Sequence, residues 1–342
     1  MSAVIDSQVL AKVVALACRA PSVHNSQPWR MVADDDGGLR LYLDSQRVPH
    51  ATDHSGREAV ISCGALLDHL RAAAAAAGWQ ASVSRFPNPN DLDHLATVRL
   101  RPAQFVTDAE RARADAILRR RTDRLPFGPP MAWRAIEPVL RSTIDPAKAT
   151  LHVLAAEVRP QLAEASMLTE SLRRYDTSYH AELSWWTNTS EMTYGIPHSA
   201  LLSDEERDRV DIARTFPGGR HSERRPEIDR DQSVILVLST HDDSRSDALG
   251  CGEALSDVLL EATLAGLATC TLTHMTEVEA SRSLIRDLTG GAGEPQLLIR
   301  VGEAPEPAEP VRPTGRRPLA EVFETHQRGN RKNGIPGGRQ AI

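Results

Sequence analysis

Cysteine is scarce in this chain: 342 residues hold four, at Cys18, Cys63, Cys251 and Cys270. None forms a CxxC pair or stands beside a histidine at zinc-ligand spacing, which argues against a disulfide framework and a structural zinc. Excess positive charge is absent too. A formal net charge of −6 and a pI near 6.1 give no general attraction to nucleic acid or to anionic membrane. Any anion the protein binds must therefore be held by a local basic cluster. No stretch approaches the roughly 18 uncharged apolar residues of a membrane span, since even the alanine run at Ala72–Ala77 follows Arg71. Met1–Asp6 carries no basic region followed by an apolar core. The expectation is a soluble, cytoplasmic protein that uses neither membrane nor nucleic acid. P-loop, GxSxG and HExxH patterns do not occur. His50, Asp53 and His54 have no further ligand indicated beside them and read as a polar loop rather than a metal site. Gly250-Cys251-Gly252 opens a helix, but Leu255 occupies the third glycine position of a dinucleotide fingerprint.

What is present is an ordinary globular composition, 41% apolar with 21 glycines, long enough for about two domains. Apolar residues at helical spacing predict helices over 8–19, 56–77, 108–121, 250–266 and 276–288. Short β-type runs lie at 81–86, 95–100, 149–154, 233–239, 269–272 and 296–301, so strands and helices interleave in an α/β or α+β architecture. The helix CGALLDHLRAAAAAAG at 63–78 echoes CGEALSDVLLEATLAG at 251–266, with Cys63/Cys251, Gly64/Gly252, Leu67/Leu255 and Gly78/Gly266 coinciding. Two alanine-rich core helices can match by composition alone; the other explanation is an internal duplication. Residues 176–231 are polar and weakly patterned, yet carry Trp185, Trp186, Tyr194 and Phe216, which favours a lid over disorder.

Two segments carry chemistry. Pro21-Ser22-Val23-His24-Asn25-Ser26-Gln27-Pro28 places hydroxyl, imidazole and amide groups between two stiffening prolines, either as a self-bonded turn or as a ligand-facing loop. Arg119-Arg120-Arg121-Thr122-Asp123-Arg124 at a helix end suits phosphate, because guanidinium groups bind its oxygens bidentately, although a solvated charged face is the commoner fate of such a run. Arg316-Arg317 before Pro318 is similarly open.

Taken together, APSVHNSQPW (20–29), RRRTDRLPF (119–127), GLATCTLTHM (266–275) and GRRPLAEV (315–322) resemble the FMN-dependent nitroreductase superfamily, in particular its mycobacterial Acg branch. The resemblance implies an α+β nitroreductase-like fold in which two fused copies stand for a homodimer, with a lid inserted at about 176–231. The halves would be 1–106 and 107–327, with a flexible tail at 328–342. With the PSxxN loop in the first half and the RRTxR element in the second, one of the two equivalent sites is lost. That leaves one FMN per chain and a monomeric pseudo-dimer. The resemblance assigns Arg120, Thr122 and Arg124 to the ribityl phosphate, Arg316 to added positive charge nearby, and Ser22, Asn25 and Gln27 to the pyrimidine edge of the ring. Pro21, His24 and Ser26 lie in the same loop, and Thr273 and His274 stand where many members place an acidic-glycine pair beside flavin N5. The implied activity is two-electron transfer from NAD(P)H to a nitroaromatic or quinone-like small molecule, the flavin carrying the chemistry. The alternative is a non-enzymatic FMN carrier whose lid occludes the ring.

Overall fold

The computed structural model describes residues 4–34, 38–188, 194–219, 222–306 and 312–325. The first half consists of α1 (Ser7–Ala17), β1 (Trp29–Ala33), β2 (Leu39–Leu43), α2 (Arg57–Ala76), β3 (Trp79–Arg85) and β4 (His94–Pro102). The connecting helices are α3 (Asp108–Arg119) and α4 (Trp133–Thr143). There follow β5 (Thr150–Val153), α5 (Arg159–Arg173), α6 (Thr177–Thr187), α7 (Asp204–Asp208), β6 (Val234–Thr240), α8 (Arg245–Leu264), β7 (Ala268–Leu272), α9 (Glu279–Leu288), β8 (Glu294–Gly302), α10 (Leu319–Val322) and β9 (Phe323–Thr325).

Two sheets, each with four antiparallel strands, carry the duplication. Read from the first strand of each half, one sheet runs β1-β2-β4-β3 and the other β5-β6-β8-β7. The order is the same, and in each case a 20-residue helix, α2 or α8, joins the second strand to the third. Arg57 and Arg245, which open these helices, are separated by the same interval as Cys63 and Cys251. Both helices stop at a glycine in the left-handed region, Gly78 with φ 82° and Gly266 with φ 78°, where a side chain would be strained. The repeat seen in the sequence is thus a repeat of topology, and the compositional explanation falls away.

The two helices pack against each other at their matched glycines. A Cβ on Gly64 would overlap the Leu249 carbonyl oxygen and lie 2.9 Å from Gly252 Cα. One on Gly252 would overlap the Ile61 carbonyl oxygen and lie 2.8 Å from Gly64 Cα. Backbone therefore meets backbone at the crossing, and one hydrophobic core runs through both halves, from Val14 and Trp29 through Leu66 and Leu67 to Leu249, Leu259 and Ile299. By length and composition α2 could cross a membrane, but 83% of its apolar window is buried in this core. A second cluster, with Phe127, Leu162, Met275 and Ile285, fills the other face of the second sheet.

Helix α3 begins with a capping box, Thr107 and Glu110, and ends at Arg119. The chain then runs extended alongside β7, where Thr122 bridges Thr269 and Asp123 N donates to Thr269 O at 2.9 Å. This hand-over carries the arginine segment onto the second sheet. At the other end, β9 pairs in parallel with β1, Met31 opposite Phe323, so residues expected to close the second half complete the first half's sheet. The expected tail at 328–342 lies outside the described residues. Strand β2 and helices α4, α5 and α6 go beyond the sequence expectation; within 176–231, Tyr179, Leu183 and Trp186 are buried at helical spacing on α6.

Candidate functional site

Arg316 closes the C-terminal end of α1, donating to the carbonyl oxygens of Cys18 (3.0 Å), Arg19 (2.9 Å) and Ala20 (3.2 Å). The loop that follows is strained. His24, Asn25 and Gln27 hold φ of 49°, 56° and 52°, a region that residues with a Cβ seldom occupy. Such outliers persist where surrounding contacts over-determine them, and they cluster at functional sites. Here Val23 N donates to Ser62 Oγ (3.0 Å), Gln27 N donates to Ser22 Oγ (3.0 Å), and Arg47 Nε donates to Ser26 O (2.6 Å).

The loop fronts a cavity of about 110 Å³ lined by Pro21, Ser22, His24, Glu58, Thr122, Arg124, Arg214, Phe216 and Thr273. It shares Pro21, Ser22, His24, Thr122 and Arg124 with an outer cleft of about 1140 Å³, whose walls add Arg19, Asn25, Arg120 and Arg316. Both halves of the chain thus build one site. Three of the expected residues line neither space. Ser26 is wholly buried. Gln27 donates to Asn25 O (3.2 Å) and accepts from Arg317 N (2.8 Å). His274 lies in the core, its Nε2 2.8 Å from Ser166 Oγ. Asn25 lines the cleft, but its amide donates to Gly195 O (3.0 Å) and Gly315 O (3.2 Å).

Charge is the site's most informative property. Most of the molecule's buried guanidinium groups sit against a carboxylate: Arg300 on Asp231, Arg214 on Glu277, Arg282 on Asp243. Among the described residues, no carboxylate lies within ion-pair distance of Arg19, Arg120, Arg124 or Arg316. Arg120 is 8% exposed and its Nε has no hydrogen-bond partner. Burial, with repulsion from Arg19, brings its pKa down to about 10. Burial, with Arg19 and Arg120 adding to it, brings Arg316 down to about 9. Burial also lowers Arg124. A buried cation without a counterion is costly, so this cluster is complementary to an anion rich in oxygen acceptors. A phosphomonoester fits that donor set. Next to it His24 is buried with both ring nitrogens unpartnered, and burial, together with Arg214 and Arg124, depresses its pKa well below the ordinary value, so the imidazole is neutral.

Glu58, in the first turn of α2, was not singled out by the sequence. Its only signal is position, a carboxyl in the first turn of a helix whose other residues are mostly apolar. Asp53, weighed as a metal ligand, instead accepts from Ala59 N at 2.8 Å and ties down the start of that helix. No group of three metal-ligating side chains occurs among the described residues.

The aromatic segment lies against the loop. Phe216 meets His24 edge-on at 5.7 Å, and Trp186 stands 6.4 Å from the same ring. Arg124 reaches Ala200 O (3.4 Å) and lies 5.2 Å from the Phe216 centroid. Trp185 is half exposed and stacks on Tyr194 at 5.6 Å.

The interval that maps α2 onto α8 also maps Arg85 onto Thr273 and Ala65 onto Glu253. At this second, equivalent position Arg85 (2.6 Å) and Lys148 (2.7 Å) both grip Glu253, which is fully buried. Arg85, the counterpart of the cavity-lining Thr273, is thus part of an ion cluster.

Two halves of one strand order, fused and sharing one cation-lined cleft, define the class as a single-chain duplication with a shared site. No protein-family profile matches the chain. It is 56% identical over 327 residues, 96% of this chain and 98% of the other, to the Mycobacterium tuberculosis protein named "Putative NAD(P)H nitroreductase acg". A second M. tuberculosis protein, uncharacterized, is 54% identical over 93% of this chain and 94% of its own. Among solved structures, the FMN-dependent nitroreductase NfnB of Mycobacterium smegmatis in complex with NADPH aligns over 64% of this chain and all of its own, at 15% identity and a TM-score of 0.40. The chain belongs to the Acg-type nitroreductase family.

Proposed function

We propose that the protein is an FMN-dependent oxidoreductase that takes two electrons from NAD(P)H and passes them to a nitroaromatic or quinone-like acceptor. The observation that carries this reading is the set of guanidinium groups without carboxylates, buried Arg120 and half-buried Arg124 foremost, at the mouth of a cavity fronted by the strained His24 loop. Arg120, Arg124 and Thr122 would hold the ribityl phosphate. Arg316 adds charge at a distance, because its N–H groups are already taken by the carbonyls that end α1. Ser22 and neutral His24 line the cavity and would face the ring, whereas Asn25 and Gln27 stabilise the loop itself. FMN, when bound, supplies hydride acceptance and two-electron storage, and donors near its N1 and O2 favour the reduced form. One FMN per chain is the reading favoured by the one such cation cluster among the described residues and by the Arg85–Glu253–Lys148 cluster at the equivalent position. A monomer suffices, because the interface is internal. Four buried free cysteines and use of NAD(P)H suit a reducing cytoplasm.

A second reading, FMN binding without turnover, draws on the packing of Phe216 and Trp186 against His24, which takes up space where a nicotinamide or acceptor would stack. Anaerobic stopped-flow reduction of the FMN-loaded protein by NADH and NADPH separates the two. Bleaching within seconds supports the oxidoreductase, and no bleaching by either donor supports the carrier.

A further inference from the structure

Glu58 is 2% exposed and lines the inner cavity, yet neither carboxyl oxygen has a hydrogen-bond partner. Its nearest cation, Arg57, stands 3.8 Å away, with its N–H groups committed elsewhere. Nη1 donates to Gln296 O and Oε1, both at 2.8 Å, and Nη2 to Thr276 O (3.2 Å) and Oγ1 (3.1 Å). The other charges facing Glu58 are Asp53 from the preceding loop, Glu277 before α9, and Arg214, which is itself paired with Glu277 and bonded to Tyr179 (3.0 Å) and Thr273 (3.0 Å). An ionised carboxylate in this place would have two acidic neighbours and no donor to solvate it. Burial, then Glu277 and Asp53, push its pKa well above the usual carboxylate range, against the weaker pull of Arg57 and Arg214.

We propose that Glu58 is a neutral carboxylic acid at working pH and gives its proton to the acceptor during reduction. The inference rests on the oxidoreductase reading above. The proton inventory leaves a place for such a donor. Reducing a quinone by NAD(P)H consumes one proton besides the hydride, giving hydroquinone and NAD(P)+. The hydride brings both electrons, and the proton completes the second O–H bond. For a nitro group the same count gives a nitroso product, water and NAD(P)+. Glu58 breaks its O–H bond as the acceptor oxygen gains one, and a solvent proton entering through the outer cleft restores it. A carboxylic acid kept neutral by an apolar site is a recognised way to hold a proton donor ready at neutral pH.

The test compares wild type with Glu58→Gln, which keeps the size and neutrality of the acid but cannot give up a proton. In the flavin-free protein at pH 7, infrared spectroscopy should show a protonated carboxyl C=O band that the variant lacks. In the FMN-loaded full chain, reduced with dithionite and mixed anaerobically with 1,4-benzoquinone, the variant should be reoxidised about 100-fold more slowly. Its flavin content should be equal and its pH dependence flat. Absence of the band difference overturns the inference, and so do equal reoxidation rates in the two proteins, which leave the oxidoreductase reading standing. A wild type that binds no FMN, or is not reoxidised, sinks that reading and this one together.

Discussion

Arg120 shows how far single residues could be read. Its place in an Arg-x-Thr-x-Arg run made it a phosphate candidate, but the same run contains Arg121, which is paired at 3.7 Å with Asp123. Only the fold tells the compensated cation from the uncompensated one. Arg120→Ala and Arg124→Ala should each weaken FMN binding by about 1.5–3 kcal/mol, the worth of a hydrogen bond to a charged group, as measured by fluorescence titration. Substituting His50 or His54 should leave binding unchanged. Arg120→Met should also raise the melting temperature of the flavin-free protein, since it removes a buried charge with no counterion; a lower melting temperature would mean that the cation is satisfied. Glu58 has a stability signature of its own. Its pKa is raised in the folded state, so its proton favours folding below the unfolded value of about 4.3. That contribution is lost as the pH rises through the folded value. The melting temperature of Glu58→Gln relative to wild type should therefore climb from pH 5 to pH 9, and a constant difference would mean that Glu58 is ionised throughout. In the sequence this residue was hidden, because an acid in the first turn of a helix looks the same whether it faces water or a cavity.

At the scale of elements, α2 and α8 were legible because alanine, glycine and leucine repeat over long windows, and the matched glycines mark where the helices touch. Gly64→Ala or Gly252→Ala drives a methyl group into a backbone carbonyl that cannot yield as a side-chain end would. Each should cost about 1–3 kcal/mol in chemical denaturation, the range for overpacking. FMN affinity should fall as well, since the helices hold the two halves that share the site. The loop at 20–28 was legible as chemistry but not in its aim. Whether Asn25 and Gln27 turn inward depends on Gly195, Gly315 and Arg317, far away in the sequence. Helix α6 was harder still. Tyr179, Leu183 and Trp186 have helical spacing, but the stripe is three residues long and flanked by polar side chains on both sides. The segment's gating role is open to a direct trial. If Phe216 restricts access to the cavity, Phe216→Ala should speed anaerobic flavin reduction by NAD(P)H several-fold with FMN still bound, whereas an unchanged rate would mean that it only packs the loop.

For the whole molecule, duplication accounts for most of the architecture: two sheets of one strand order, two matching helices, and one core through both. What the repeat hid is the exchange between halves, since β9 returns to the first sheet while the Arg120 segment crosses to the second. The halves also differ where chemistry would sit. One position has a cavity and cleft bordered by Arg120 and Arg124, which have no carboxylate partner, and at the other Arg85 and Lys148 hold Glu253. The central claim is therefore one flavin phosphate site per chain, formed across an internal interface and held by Arg120 and Arg124. Native mass spectrometry of the FMN-saturated protein tests it most directly. A monomer carrying one FMN, reduced to none in an Arg120→Ala/Arg124→Ala double variant that remains folded, is the predicted result. Two FMN per chain, or one retained by the double variant, would contradict it.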